Sequence, residues 1–389
     1  MRLTFVSNYI NHHQIPFSNA CYQELEGEYF FIQTEPMEDE RIAMGWGKEV
    51  GKLSYVRYLY QEAQQCEKLI LESDLVVFGW SNEEIWMDGI IQKRMALGKP
   101  ALRMSERLYK EGRWKFLSPR GLWKKYRQYT RYRKQPMYLL CAGAYVASDF
   151  RLIGAYPDKM LRFGYFPETL SYAEGQLEDR KLQDGRVHLL WAGRFIPYKH
   201  PEFVINLGEE LKQEQEKFHI HMVGGGVLEE QLKAQVKNRG LEEVITFHGF
   251  AAPGQVRELM EQCHIYLFTS NQDEGWGAVV NEAMNSGCGI VASQEAGAVP
   301  YLIRHGENGL VYHKDSYQEF AGLVKQLVRD RELTARLGQQ AYQTIINQWN
   351  AEHAAKELIR FGKALLEGQI APAQEGPLSK APILIPGKG

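Results

Sequence analysis

Short runs of β-branched, aromatic and aliphatic residues alternate with longer amphipathic segments along this chain, and the alternation runs through twice. The first series predicts strands at Leu3–Ser7, Tyr29–Gln33, Leu75–Gly79, Ala101–Met104 and Tyr138–Cys141. The second predicts them at Val187–Ala192, His219–Val223, Val244–Phe247, Ile265–Phe268, Gly289–Ala292 and Leu310–Tyr312. Strands spaced by helix-length segments are βαβ units, which build parallel sheets. Between the series, Thr169–Arg186 is polar and acid-rich, with Gly175 and Gly185, and reads as a linker. Helical patterns follow at Tyr317–Leu327, Arg331–Ile346 and Trp349–Leu366. The expected division is therefore an α/β domain over 1–168, a linker over 169–186 and a second α/β domain over 187–346. A final helix spans 347–367, and a tail over 368–389 is irregular by its prolines.

Most of the chemistry is concentrated in Asp273-Glu274-Gly275-Trp276-Gly277-Ala278-Val279-Val280-Asn281-Glu282-Ala283-Met284. Gly275 and Gly277 let the backbone approach a ligand with no Cβ in the way. A helix starting near Ala278 aims free N–H groups and its positive dipole end at the same place. Glu274 reaches in from the loop and Glu282 from the first turns of the helix. Carboxylates accept from hydroxyls while a helix terminus receives an anion, so the layout suits a ligand carrying both. The competing reading is a loop and a solvated acidic helix face. Against it stand Val279, Val280, Ala283 and Met284, which place both acids beside buried surface.

Other polar residues fall just past predicted strand ends, where doubly wound sheets bind ligands. Arg194 and Lys199, after Gly193, can converge on a diphosphate as a fork and a point charge. Gly224-Gly225-Gly226 opens a helical run, Leu228–Val236, and forms a phosphate or sugar cradle if that helix faces the ligand; a tight turn is the alternative. His248-Gly249-Phe250 and Ser270 end the next two strands. In the first half, Asn11-His12-His13-Gln14 follows the first strand and offers hydrogen bonds to phosphate or hydroxyls. No carboxylate or cysteine stands at ligand spacing beside those histidines, so a metal is not expected. Glu106 follows the fourth strand beside Arg103 and Arg107, and a surface ion pair is its alternative reading.

The Glu274-to-Glu282 segment resembles the signature of two glutamates separated by seven residues in the retaining nucleotide-sugar glycosyltransferases of family 4. Within that family the chain looks like the bacterial enzymes that build capsular and other surface polysaccharides. The resemblance covers the C-terminal half and weakens in the N-terminal half, where the family's glycine pair in the first βα loop is missing. It implies a GT-B fold, two Rossmann-like doubly wound domains facing a central cleft, with the final helix crossing back to the N-terminal domain. It further implies that Arg194 and Lys199 neutralise the leaving diphosphate and that His248-Gly249-Phe250 passes near the base. Glu282 would accept from the ribose hydroxyls, Glu274 would lie by the transferred sugar, and Glu106 would sit near the reaction centre. The donor is then a nucleotide sugar serving as co-substrate, with no other cofactor and no metal, since Asp-x-Asp is absent beside the presumed pocket. The acceptor is a saccharide bound by the N-terminal half. A GT-B epimerase or hydrolase, or a non-catalytic nucleotide-sugar-binding protein, remains the alternative. A dinucleotide oxidoreductase fits worse, because Gly224-x-Gly226 continues to Glu229 where a third glycine is needed.

Bulk properties change little in this picture. A net charge of −2 over 389 residues gives no overall pull toward nucleic acid. The five cysteines are scattered and never in a Cys-x-x-Cys pair, which argues for reduced thiols in the cytoplasm. No signal peptide is visible, and the best apolar run, Tyr138 to Ala147, is about half of the roughly 20 residues a spanning helix needs. One local feature stands out. Arg103 to Lys134 gathers twelve basic residues against Glu106 and Glu111, interleaved with Trp114, Trp123, Tyr126, Tyr129 and Tyr132. Such a stretch fits the anionic inner leaflet of a plasma membrane and a lipid-linked acceptor; a solvated helix with its aromatics in the core is the alternative.

Overall fold

A computed structural model describes residues 1–38, 50–109, 118–313 and 316–385, and these form two compact units. The first comprises Met1–Glu168 with Gln348–Ile385, and the second Thr169–Asn347.

In the first unit, in chain order, stand β1 (Leu3–Ser7), α1 (Ile15–Glu24), β2 (Tyr29–Gln33), β3 (Val56–Tyr58), α2 (Ala63–Glu72), β4 (Leu75–Phe78) and α3 (Glu84–Ala96). They continue with β5 (Ala101–Ser105), α4 (Pro119–Gln128), β6 (Met137–Ala142), α5 (Val146–Leu152) and β7 (Met160–Phe163). The strands form one sheet in the order β3-β2-β1-β4-β5-β6-β7, every neighbouring pair parallel. β1, β4 and β6 are buried along their whole length, as strands covered on both faces must be. The two strands that periodicity did not predict, β3 and β7, are the edges. Each is short and carries an arginine, Arg57 or Arg162, which shortens the apolar run that periodicity detects and which a half-covered edge tolerates.

The second unit holds α6 (Gln176–Arg180), β8 (Val187–Ala192), α7 (Glu202–Gln213), β9 (Phe218–Val223), α8 (Glu229–Asn238), β10 (Ile245–Gly249) and α9 (Pro253–Gln262). After them come β11 (Ile265–Phe268), α10 (Ala278–Asn285), β12 (Gly289–Ser293), α11 (Val299–Leu302), β13 (Leu310–Tyr312), α12 (Tyr317–Arg329) and α13 (Arg331–Asn347). Its parallel sheet runs β10-β9-β8-β11-β12-β13. The last helix, α14 (Ala351–Leu366), returns to the first unit and packs along α1.

Two boundaries differ from expectation. Residues 169–186 are no free linker but part of the second unit. Leu170 N–H donates to Asn285 Oδ1 at 2.8 Å, and the Lys181 ammonium donates to the carbonyls of Cys263 (2.7 Å) and Ser286 (3.0 Å). The tail beyond 368 is irregular, yet it is pinned. Leu378, fully buried, donates to the Arg162 carbonyl at 2.8 Å, Arg162 donates to Ser379 at 2.7 Å and Ala381 to Met160 at 3.0 Å. The unpaired groups of edge strand β7 supply what composition hides, a template of donors and acceptors.

Candidate functional site

The strand order of each sheet reverses once, between β1 and β4 in the first unit and between β8 and β11 in the second. The carboxyl ends of the strands flanking such a reversal leave a crevice because their loops diverge. In the second unit the loops after β8 and β11 carry Arg194 and Lys199 on one side and Glu274 on the other. Their backbones are tied together. Asn271 N–H donates to the Tyr198 carbonyl at 2.9 Å, and the Trp191 indole donates to the Thr269 hydroxyl at 2.8 Å. Across this seam the Lys199 ammonium pairs with the Glu274 carboxylate, their side chains 13% and 15% exposed. Arg194 stays at the surface, its guanidinium donating to the Tyr198 hydroxyl at 3.2 Å.

Glu282 lies in the second turn of α10 and is half-buried. Among the described residues no hydrogen bond or ion pair meets its carboxylate. Burial pushes that carboxyl up to about 7, against the opposing pull of Arg257. Arg257, from α9, clamps the helix behind it, donating to the Glu282 carbonyl at 2.8 Å and to the Asn285 amide oxygen. The two carboxylates share one neighbourhood. Burial foremost, and then the field of Glu282 with that of Glu274, pushes the buried Tyr266 phenol upward. Its hydroxyl donates to the Ala192 carbonyl at the end of β8 (3.1 Å).

The N-terminus of α10 completes the group. Gly277 occupies the cap with φ +92°, and a Cβ there would come within 2.7 Å of the Phe268 ring. No side chain caps the helix and no acid stands in its first turn, so its leading N–H groups and dipole are left for an anion. Gly275 is half-buried beside them. Trp276, expected at the ligand, is turned inward instead: it is 2% exposed and its indole donates to Asn281 Oδ1 at 2.9 Å. Only its backbone can face a ligand. Ser270 is likewise buried, 3% exposed.

The glycine triplet has a packing task. Gly224 has φ +133°, and a Cβ there would lie 1.8 Å from the Gly193 carbonyl oxygen. Phe195 N–H donates to the Gly225 carbonyl at 2.9 Å, so the triplet lets the loop after β9 lie against the loop carrying Arg194. Two carboxylates, Glu229 and Glu230, occupy the first turn of α8, which argues against phosphate at that terminus. His248 belongs to a histidine chain. Its Nε2 lies 2.9 Å from His221 Nδ1, His221 Nε2 lies 3.0 Å from His188 Nδ1, and His188 Nε2 lies 2.9 Å from Asp184. Burial, with neighbouring imidazoles adding to it, lowers His221 to about 3. Past Gly249, Phe250 is 69% exposed, an apolar ring open to a partner.

In the first unit, a cavity of about 550 Å³ opens at the carboxyl ends of β1, β4 and β5. Asn11, Gln14 and Glu106 line it; His12 and His13 do not. The two imidazoles lie against each other, ring centroids 3.8 Å apart, and burial lowers His13 to about 3. The Gln14 amide oxygen is buried without a hydrogen-bond donor among the described residues. Glu106 Oε1 accepts from the Tyr165 hydroxyl at 3.0 Å, while Arg107 pairs with fully buried Asp149 at 3.4 Å.

The basic aromatic stretch divides in two. Tyr129 and Tyr132 are core residues, and Arg103 and Arg107 face inward. On α4, Leu122 (38%), Trp123 (62%) and Tyr126 (55%) are exposed, with the Arg127 guanidinium 4.9 Å from the Trp123 ring centroid. Lys110, Arg113, Trp114, Lys115 and Phe116 lie outside the described residues. No helix among the described residues is long and apolar enough to cross a membrane. Arg257, Tyr266 and Thr269 escaped sequence reading because each acts through backbone carbonyls or through other side chains. The nearest signal was the pair of asparagines, Asn281 and Asn285, within an otherwise apolar helix.

Residues 175–344 match the family described as Glycosyl transferases group 1. The chain is 24% identical over 195 residues to the GDP-mannose-dependent alpha-(1-6)-phosphatidylinositol monomannoside mannosyltransferase of Mycobacterium tuberculosis, covering 49% of this chain and 50% of that one. It is 28% identical over 171 residues to the amylovoran biosynthesis glycosyltransferase AmsK of Erwinia amylovora, covering 43% and 40%. The chain spans about half the length of the curated relatives it matches. The solved structure of Anabaena Alr3699/HepE in complex with UDP superposes with a TM-score of 0.68 at 16% identity, covering 92% of this chain and 99% of that one. That likeness shows the fold: two Rossmann-like parallel-sheet domains of the GT-B type.

Proposed function

We propose that the protein is a glycosyltransferase that moves a sugar from a nucleotide donor to a saccharide hydroxyl with retention at the anomeric carbon. The observation that carries this reading is the gathering of Lys199, Arg194, Glu274, Glu282 and the uncapped N-terminus of α10 around the reversal point of the second sheet. Cations and free N–H groups suit a diphosphate, and the carboxylate of Glu282, which has no partner among the described residues, suits the ribose hydroxyls. Glu274 takes the transferred sugar. His248-Gly249-Phe250 borders the base, with exposed Phe250 offering it a ring to stack on. One relative's dependence on GDP-mannose and the neighbour's bound UDP support a nucleotide donor and leave the base open.

The first unit binds the acceptor through the cavity lined by Asn11, Gln14 and Glu106. The donor's own phosphate oxygen takes the acceptor proton on the face of attack, so no enzyme base is required. The protein contributes preorganised charge and orientation. Arg194 and Lys199 stand in for a bridging cation, so transfer proceeds without a divalent metal. The product is a cell-surface polysaccharide, a reading supported by the relative from amylovoran biosynthesis. The exposed face of α4 holds the enzyme on the inner leaflet from the cytoplasm, where a lipid-linked acceptor is reached.

The test is turnover of UDP- and GDP-sugars by the full chain in excess chelator, with the anomeric configuration of the product read by NMR. We expect one donor class to be turned over, with its α or β configuration kept. Inversion would remove the retaining mechanism, and restoration of activity only by added manganese or magnesium would remove the metal-free one. Nucleotide binding without transfer or hydrolysis would leave a binding protein, and release of free or isomerised sugar would leave a hydrolase or an epimerase.

A further inference from the structure

We propose that the cavity of the first unit is an anion subsite, in which Arg103 and Lys125 hold a phosphate or carboxylate group of the acceptor. The assignment rests on the reading above only in calling the ligand an acceptor; the charge argument stands on the cavity itself.

Four cations and three acids line the wall, and two of the cations lie together away from the acids' ion pairs. Lys124 is paired with Glu84 at 2.8 Å. Arg107 is paired with buried Asp149 behind the wall. Glu106 is held by the Tyr165 hydroxyl. Arg103 and Lys125 remain, and among the described residues neither has a carboxylate within ion-pair distance. Asp88 shares the wall, and its field favours the Arg103 charge without contact. Arg103 donates to the Gln128 carbonyl at 2.9 Å and hydrogen-bonds the Tyr156 hydroxyl, and neither partner carries a charge that neutralises the guanidinium.

Both cations lie against one ring. The Arg103 guanidinium carbon is 4.3 Å from the Tyr129 centroid and the Lys125 ammonium 5.6 Å. The ring's negative face holds them together without neutralising them. Burial first, then repulsion from Lys124 and in smaller part from Arg103, pulls Lys125 below its ordinary value against the attraction of Glu84 and Asp149. An oxyanion between the two would relieve both the desolvation and the repulsion, taking forked hydrogen bonds from Arg103 and a point charge from Lys125. Trp80, 62% exposed at the rim, and the unsatisfied amide oxygen of Gln14 leave room for the sugar that carries the anion.

Two sources share this chemistry, the diphosphate of a lipid carrier and the carboxylate of a uronic acid. The full chain is first saturated with a nucleoside diphosphate, and loss of that binding in Lys199→Ala but not in Arg103→Gln assigns the step to the second unit. Inorganic pyrophosphate, glucuronate and glucose are then titrated calorimetrically into wild type, Arg103→Gln, Lys125→Gln and Lys125→Arg. We expect at least one anion to bind, to bind at least tenfold more weakly to both glutamine variants, and to recover with Lys125→Arg. Binding of pyrophosphate alone assigns the carrier, and of glucuronate alone the uronic acid. Thermal midpoints of the variants near wild type guard against misfolding. No binding by either anion, or equal binding by all four proteins, overturns the subsite. Failure at the first step would instead count against the nucleotide reading.

Discussion

Replacing Lys199 and replacing Glu274 should move nucleotide affinity in opposite directions. The Lys199 ammonium is neutralised by Glu274, and both side chains are largely withdrawn from water. A diphosphate arriving there must share or displace that carboxylate. Lys199→Ala deletes the cation and leaves Glu274 facing the anion. A lost charge-assisted hydrogen bond is worth about 1.5–3 kcal/mol, so affinity for the nucleoside diphosphate should fall about 10- to 150-fold. Glu274→Gln keeps the shape and frees the ammonium. Exposed pairs contribute about 0–1 kcal/mol and breaking a buried one costs about 3–5 kcal/mol, so this partly buried pair lies between, near 1–2 kcal/mol. Nucleoside diphosphate should then bind about 5- to 30-fold more tightly to Glu274→Gln, while turnover drops because the carboxylate at the sugar is gone. Calorimetry with UDP and GDP gives the affinities, and initial rates with the preferred donor give the turnover. If Glu274→Gln weakens nucleotide binding as much as Lys199→Ala, or keeps wild-type turnover, the pair does not gate the diphosphate.

Three further expectations follow from the same structure. Folding holds His221 near 3 and His264 near 4, both by burial first, so below about pH 6.5 the unfolded chain takes up protons that the folded one refuses. Stability should be full above pH 6.5 and decline as pH falls, by about 1.4 kcal/mol per pH unit for each excluded proton; urea unfolding that is flat from pH 7.5 to 5 would contradict this. Gly249→Ala, at φ +67° with nothing within 4 Å, should cost about 1–2 kcal/mol from backbone strain, and Gly224→Ala, aimed at the Gly193 carbonyl, about 3–6 kcal/mol. Equal shifts in unfolding would deny the loop contact that seats Arg194. On α4, changing Trp123 and Tyr126 to Ser should abolish salt-resistant co-sedimentation with anionic vesicles, and changing Arg120 and Arg127 to Gln should abolish the salt-sensitive part; equal binding to neutral and anionic vesicles, or none, would leave α4 an ordinary solvated helix.

Periodicity located the strands that are covered on both faces, since burial there demands an almost unbroken apolar run. It missed β3 and β7, because edge strands carry no such demand, and it left the tail untied, because the groups that hold it belong to β7. Chain order also brought the candidate site within reach. Arg194, Lys199, Glu274 and Glu282 all follow strands or open a helix, positions that local sequence marks. What those residues touch was not legible. Glu274 meets Lys199 rather than solvent, Trp276 turns inward, and the glycine triplet serves a neighbouring loop.

By itself, then, the sequence determined the two series of parallel strands, the glycines that free the loops and the charges set at strand ends, because each is a property of residues near one another in the chain. Tertiary structure alone decided which charges cancel. Asp149 neutralises Arg107 from α5, Glu84 takes Lys124 from α3, and Arg103 and Lys125 are left around one ring. Electrostatic energy depends on separation in space and on burial. Neither is carried by a string of residues until the sheet has closed over them.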